Sequence, residues 1–173
     1  HAARLMKMLV TEFFFFTSSY DNTVKIWYTT PRPEEKSQCV RTYRGHGKGV
    51  YCLTYLPSHE DDPAANGRRC SNPEMDFNIN PNDVIFTGSA DFSIKIWAVE
   101  SGSCVNTLKR HFSTVTGLTT DHKGKTLYSV SGDNQVKDLL KIPTCTIFLA
   151  LRIFFAGNNV TFELQGNHVG YYE

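Results

Sequence analysis

Apolar and polar side chains alternate with period two along Ser93-Ile94-Lys95-Ile96-Trp97, the signature of a strand with a different surface on each face. Ile94 and Ile96 fall on one side, and Ser93, Lys95 and Trp97 on the other. Each face therefore carries a large apolar group, as a sheet packed between two neighbours requires. The preceding run Phe86-Thr87-Gly88-Ser89 is β-prone, and Ala90-Asp91-Phe92 has turn chemistry. The unit is strand, tight turn, strand.

This phrase recurs. Phe16 to Trp27 reads FTSSYDNTVKIW and Phe86 to Trp97 reads FTGSADFSIKIW, aligned without a gap. A weaker copy, YSVSGDNQVKDL, runs from Tyr128 to Leu139. Repetition at tens of residues signals a repeat architecture in which each unit buries its faces against the next. In the stretches before the second and third copies, His46 and His111 each stand four residues before a Val and seven before a Leu. The Gly45-His46 pair, the Ser-x-Asp of each copy and the Trp six residues after that Asp together resemble the WD-repeat β-propeller family. The fold this resemblance implies is all-β, a partial propeller of antiparallel four-stranded blades around a channel, with too few repeats to close a ring.

In chain order, His1 to Val10 is open to a strand, a short helix or the tail of something removed, and strand a of the first blade is either absent or lies in it. Phe13–Thr17, Thr23–Tyr28 and Gln38–Tyr43 are expected as strands b, c and d, with a solvated loop from Tyr28 to Lys36. Blade two takes Val50–Tyr55, Val84–Ser89, Ser93–Val99 and Cys104–Lys109. Residues 57–83, rich in Pro, Asn, Asp and charge, are expected as a long inserted loop. His46 and Asp91 stand 45 residues apart but His111 and Asp133 only 22, which sizes the insertion. Blade three offers Thr114–Thr120 and Thr126–Val130, joined by a turn at Asp121 to Gly124. The pattern then breaks at Asp138 and Leu139. The expected division is a repeat sector over 1–137, with blades at about 11–43, 44–109 and 110–137, and a non-repeat segment over 138–173. At about 40–45 residues per blade, the chain is short of a ring, and an open sector exposes strand edges.

Composition changes little. The 173 residues are 40% apolar with a net charge of +1, enough to bury a core and too neutral to favour nucleic acid or acidic membranes. Five cysteines without Cys-x-x-Cys spacing favour a reduced compartment, cytoplasm or nucleus. No stretch has the length of a membrane helix, and nothing at the N-terminus looks like a signal peptide. The triplet at Asn159 is a formal glycosylation sequon, a pattern that arises often by chance.

His46, Ser89 and Asp91 are the ingredients of a nucleophilic triad, and a hydrolase is one reading. The resemblance implies instead a structural network: Asp91 accepts from His46, which contacts Ser89, which approaches the indole N–H of Trp97. Thr87 replaces Ser89 if the register slips by two. By the same pattern Ser19, Asp21 and Trp27 belong to the first copy, which shows no His, and His111, Ser131 and Asp133 to the third, which lacks Trp. Only the middle set is complete. No catalytic, metal or cofactor residue is expected.

The residue before each turn Asp, and those opening strand a, lie on the face of the His and Asp turns. Tyr20, Tyr51, Thr114 and Thr116 are the expected protein-binding residues, the tyrosines foremost, since a rigid ring with a polar tip binds at little entropic cost. The resemblance implies a non-enzymatic scaffold or adaptor for other proteins or peptides. Alternatives are a substrate-receptor segment of an F-box or RING ubiquitin ligase and a ribonucleoprotein assembly scaffold. Neither a membrane nor a small-molecule substrate is expected.

Overall fold

The computed structural model describes residues 1–11, 14–28, 37–57, 70–72, 75–79, 83–121 and 126–141, with the backbone alone described at 70–72, 75–79 and 140–141. The sequence expectations for Phe13, for Thr29 to Lys36, for the turn at His122 to Gly124, and for the segment from Ile142 on, including Cys145 and the Asn159 sequon, lie outside these residues.

Thirteen strands are present among the described residues: β1 (Leu5–Val10), β2 (Phe14–Ser19), β3 (Thr23–Tyr28), β4 (Cys39–Arg44), β5 (Val50–Leu56), β6 (Cys70–Asn72), β7 (Met75–Ile79), β8 (Val84–Ser89), β9 (Ile94–Ala98), β10 (Cys104–Leu108), β11 (Val115–Thr120), β12 (Thr126–Ser131) and β13 (Val136–Lys141). They form antiparallel sheets in the orders β1-β2-β3-β4, β10-β9-β8-β5 and β11-β12-β13, with a separate β6-β7 pair. Strands β1 to β4, and β5 with β8 to β10, are two four-stranded blades, and the third has three strands among the described residues. No helix among the described residues is long and apolar enough to cross a membrane.

Two elements differ from the sequence expectation, and a third was left open by it. The opening residues do supply strand a of the first blade, since β1 pairs with β2 over Leu5 to Val10. Within the inserted segment, expected as loop, β6 and β7 pair antiparallel, and residues 58–69, 73–74 and 80–82 lie outside the described residues. Strand β13 runs on through Asp138 and Leu139, where the repeated phrase breaks. Asp138 is tolerated because it is exposed, on a face of the third sheet that no further sheet covers among the described residues.

The two-faced alternation of the middle sheet explains the packing. Ile85, Trp97 and Val99 join Phe14, Phe16, Val24, Ile26 and Tyr43 in one core. Phe86, Ile94 and Ile96 turn the other way onto Val115 and Leu127. Buried apolar side chains of this size each contribute about 1.5–3 kcal/mol relative to exposure, so two such layers make the middle sheet the anchor of the sector. The Tyr43 hydroxyl donates to the Val99 carbonyl at 3.1 Å, satisfying a polar tip inside the first layer. At the ends the pattern reverses: Leu5, Met8 and Val10 on β1, and Tyr128, Val130 and Val136 on the third sheet, are exposed.

The three strand a to strand b pairings carry the same irregularity, a register shift between Leu5 and Lys7, Val50 and Cys52, and Val115 and Gly117. A bulge at one fixed place increases twist and re-aims the strand. It brings β11 so close to β8 that a Cβ on Gly88 would sit 2.6 Å from both Cys52 Sγ and Val115 Cγ1. Gly88→Ala is expected to overpack this seam and destabilise the chain by about 1–3 kcal/mol. A lowered urea midpoint with an unchanged m-value would show it.

Candidate functional site

The turns joining β2 to β3, β8 to β9 and β12 to β13 lie at the same end of the molecule as the residues that lead into β1, β5 and β11. There, each turn Asp meets a His. In the middle blade His46 Nδ1 is 2.9 Å from Asp91 Oδ2 and His46 Nε2 is 2.8 Å from Thr87 Oγ1. The Trp97 indole N–H donates to the same Thr87 oxygen at 2.8 Å. With the carboxylate accepting from Nδ1–H, Nε2 is left to accept the Thr87 hydroxyl proton. The relay runs from the Trp97 N–H to Thr87, from Thr87 to His46 and from His46 to Asp91. Asp91 also accepts from the Gly47 and Ser93 backbone N–H groups, so one carboxylate pins both the loop before β5 and the turn before β9.

Two expectations need correction. Ser89 is not the residue between His46 and Trp97; Thr87, two residues earlier, is. Ser89 is buried beside the turn, where its hydroxyl donates to the Lys48 carbonyl at 2.9 Å and accepts from the Asp91 N–H at 3.1 Å. In the third copy Ser129, not Ser131, meets His111 Nε2 at 2.7 Å, while Ser131 donates to the Ser113 carbonyl. Both hydroxyls of each copy are used, the inner one in the relay and the outer one as a clamp between turn and loop. Ser19 is the outer one in the first copy, donating to the Arg4 carbonyl at 3.1 Å.

The first copy does have its His. His1 Nδ1 is 3.0 Å from Asp21 Oδ2, His1 Nε2 is 2.8 Å from Thr17 Oγ1, and the Trp27 N–H donates to Thr17 at 2.7 Å. His1 was missed because the sequence opens on it, so that a Gly-His pair cannot be read there. The spacing that marks the other two was present, with Leu5 four residues on and Met8 seven. The third copy joins His111 to Asp133 at 2.8 Å and has Leu139 where the others place Trp. The residue before each His follows suit. Gly45, at a φ of 151°, lies against Trp97, and a Cβ there would come within 3.1 Å of the ring; its counterpart Arg110 has no Trp beside it.

Burial of the imidazole is the largest influence on His46, and it lowers the pKa below the usual 6.5 despite the Asp91 bond and charge, which favour the cation. Burial also works to raise Asp91. It is outweighed by the hydrogen bonds from Ser93, His46 and Gly47 together, which bring that carboxyl down from 3.8 to about 2. Thr87 is fully buried, so although hydroxyl, imidazole and carboxylate are strung as in a nucleophilic triad, no substrate carbonyl can reach the oxygen. Among the described residues no group of three or more His, Cys, Asp or Glu side chains could hold a metal ion.

The expected binding residues surround this end unevenly. Tyr20 is 57% exposed, and its ring meets Tyr51 edge-on with centroids 6.5 Å apart. It crosses Gly49, where a Cβ would come within 2.9 Å of the ring. The two tyrosines thus form one patch across the first two blades. Thr116 is exposed and Thr114 half-buried, and both belong to the third blade, where the Thr114 carbonyl accepts from the Gly132 N–H and the Thr116 hydroxyl donates to the Val130 carbonyl.

Thr87→Val keeps the shape and removes the hydroxyl, leaving the Trp97 N–H and His46 Nε2 unpaired. The expected loss is about 1–3 kcal/mol for each, read from urea unfolding. A fold that refuses a proton on His46 loses stability as pH falls below about 6.5, because the unfolded chain binds that proton first. A second loss follows from 3.8 down through about 2, where Asp91 gives up its advantage. Unfolding midpoints between pH 8 and pH 2 are expected to fall in these two stages, and His46→Gln is expected to abolish the first.

A protein-family model described as WD40, "WD domain, G-beta repeat", matches residues 10–28, 37–61, 73–98 and 102–137. The chain is 32% identical over 129 residues to the nuclear distribution protein PAC1 of Ajellomyces capsulatus (strain H143), covering 72% of this chain and 26% of that protein. It is 30% identical over 100 residues to pre-mRNA-processing factor 19 of Bos taurus, covering 58% of this chain and 15% of the relative. The chain thus spans about a quarter or less of these relatives. Among solved structures, the crystal structure of the WD40 beta propeller domain of Doa1 matches with a TM-score of 0.59 at 21% identity, over 80% of this chain and 37% of that one. With matched repeats over most of its length and stacked antiparallel sheets of the propeller type, the chain belongs to the WD40 repeat family.

Proposed function

We propose that this chain is a non-catalytic interaction module, a scaffold or adaptor that holds other proteins or peptides on the end carrying the His and Asp turns. One observation carries the reading: the groups of the His and Asp corner that could do chemistry are already committed to the fold. Thr87 is buried between Trp97 and His46, and Asp91 is held by three partners in two segments. What remains for a partner is the rim, where Tyr20 and Tyr51 present a rigid aromatic pair.

The relatives' names point to nuclear distribution and to pre-mRNA processing, two different settings for one repeat fold, so the fold does not choose the partner. A ribonucleoprotein scaffold that touched RNA directly would need clustered cations on a groove, and the net charge of +1 gives that reading little support. A ubiquitin-ligase receptor role would be supported by an F-box or RING joined to these repeats in the same protein. A reduced compartment, cytoplasm or nucleus, fits the unpaired thiols of Cys39, Cys52 and Cys104.

Photo-cross-linking from position 20 or 51 in cell extract is expected to give discrete protein adducts, and cross-linking from position 39 at the opposite end is not. Tyr20→Ala with Tyr51→Ala is expected to reduce co-purifying partners at least tenfold while the chain stays folded. Ester hydrolysis by the wild-type chain above the level of Thr87→Val would count against the reading.

A further inference from the structure

The repeats differ at one corner in a way their shared geometry does not require. At the junction of the first and second blades, Asn22 of the turn before β3 donates from its side chain to the carbonyl of Gly47, in the loop before β5, at 3.4 Å. The counterparts at the next junction are Phe92 and Phe112. A polar side chain and a glycine have become two phenylalanines.

Both are conspicuous on physical grounds. Asn22, Phe92 and Asn134 occupy the same left-handed position, with φ of 67°, 68° and 62°. Asn suits that conformation, whereas a bulky ring there is an outlier. Such outliers persist where something else requires them. Phe112 is 82% exposed and Phe92 40%, so neither ring is explained by the core.

Each ring carries a cation. Lys48 Nζ lies 5.5 Å from the Phe92 ring centroid and Lys137 Nζ 5.5 Å from that of Phe112. Lys137 also donates to the Arg110 carbonyl, which holds it at this corner. The loops over 44–49 and 109–114 contain Arg44, Lys48, Lys109 and Arg110 and no acidic residue. The carboxylates nearby, Asp91 and Asp133, are taken up by His46, His111 and backbone N–H groups. The corner is therefore apolar rings under uncompensated positive charge.

We propose that Phe92 and Phe112 form the docking point for an acidic peptide, one whose aromatic or branched apolar side chain packs on the two rings while flanking Asp or Glu carboxylates pair with Lys48 and Lys137. This deepens the interaction reading above and rests on it. A peptide fits better than single-stranded nucleic acid, because tracking a phosphate backbone takes a longer line of cations than a chain of net charge +1 favours.

The test titrates the full chain, by fluorescence anisotropy, with a peptide bearing one Phe between runs of Asp and Glu. The same peptide with Lys for the acids, and a single-stranded oligouridylate, serve as competing probes. The acidic peptide is expected to bind, more weakly as salt rises. Phe92→Asn with Phe112→Gly, which rebuilds the first corner, is expected to cost at least tenfold in affinity without lowering the urea midpoint. Lys48→Glu with Lys137→Glu leaves both rings in place and is expected to lose the acidic peptide as well. Undiminished binding by either double variant overturns the proposal, as does preference for the basic peptide or ring-dependent binding of the oligonucleotide. Failure of the acidic peptide while adducts from position 20 or 51 persist overturns this corner and leaves the interaction reading standing. Failure of both overturns both.

Discussion

A buried imidazole has two nitrogens, and both must find partners or the fold loses the cost of taking them from water. In this chain that requirement is met the same way at His1, His46 and His111, each between a turn carboxylate and a hydroxyl of strand b. The loop before strand a, the middle of strand b and the turn before strand c are thereby tied at one point. In two of the three a tryptophan from strand c adds a fourth tie. Hydrophobic layers hold the sheets together, and these polar corners fix how each sheet is connected.

Much of this was legible in the residues. The alternation along Ser93 to Trp97 placed isoleucines and tryptophan on opposite faces, and the two cores divide them that way. The pairing of His46 with Asp91 followed from the repeat despite the long insertion between them. What stayed hidden has physical reasons. Thr87 and Ser89 are two residues apart on one strand and point the same way, so spacing cannot say which one a ring of fixed length reaches. The structure places the ring at the inner one because the outer one is consumed by the turn. His1 was masked because the sequence opens on it, and the pair that marks His46 needs the residue before the His, where Gly45 lies against the indole of Trp97. The β6-β7 pair was overlooked although Met75 to Ile79 alternates apolar and polar residues, because the Pro, Asn and charge around that short run dominate its segment. The continuation of β13 was obscured by Asp138, whose exposure releases it from the pattern.

The corners also decide what the end of the molecule can offer. Ser, His and Asp on paper suggest bond-making chemistry, yet the polar atoms of the middle corner are saturated by other parts of the chain. Rigidity is what such saturation provides, and a rigid end with aromatic groups at its rim is suited to holding a partner. Tyr20 and Tyr51 bridge the first junction, and at the second Phe92 and Phe112 stand where the first has Asn22 and Gly47. The two junctions share one backbone plan and carry different side chains.

Because the sheets touch only in sequence, with the middle one in contact on both sides and the outer two bare on one among the described residues, their energies couple as links in a line rather than as a single block. Amide protons of β8 and β9 should then be the last to exchange with solvent, and those of β1 and β13 the first, since fraying from either end uncovers little that was dry. Any surface added beyond Leu5 or Val136 would lengthen that line and raise the resistance of its terminal links most.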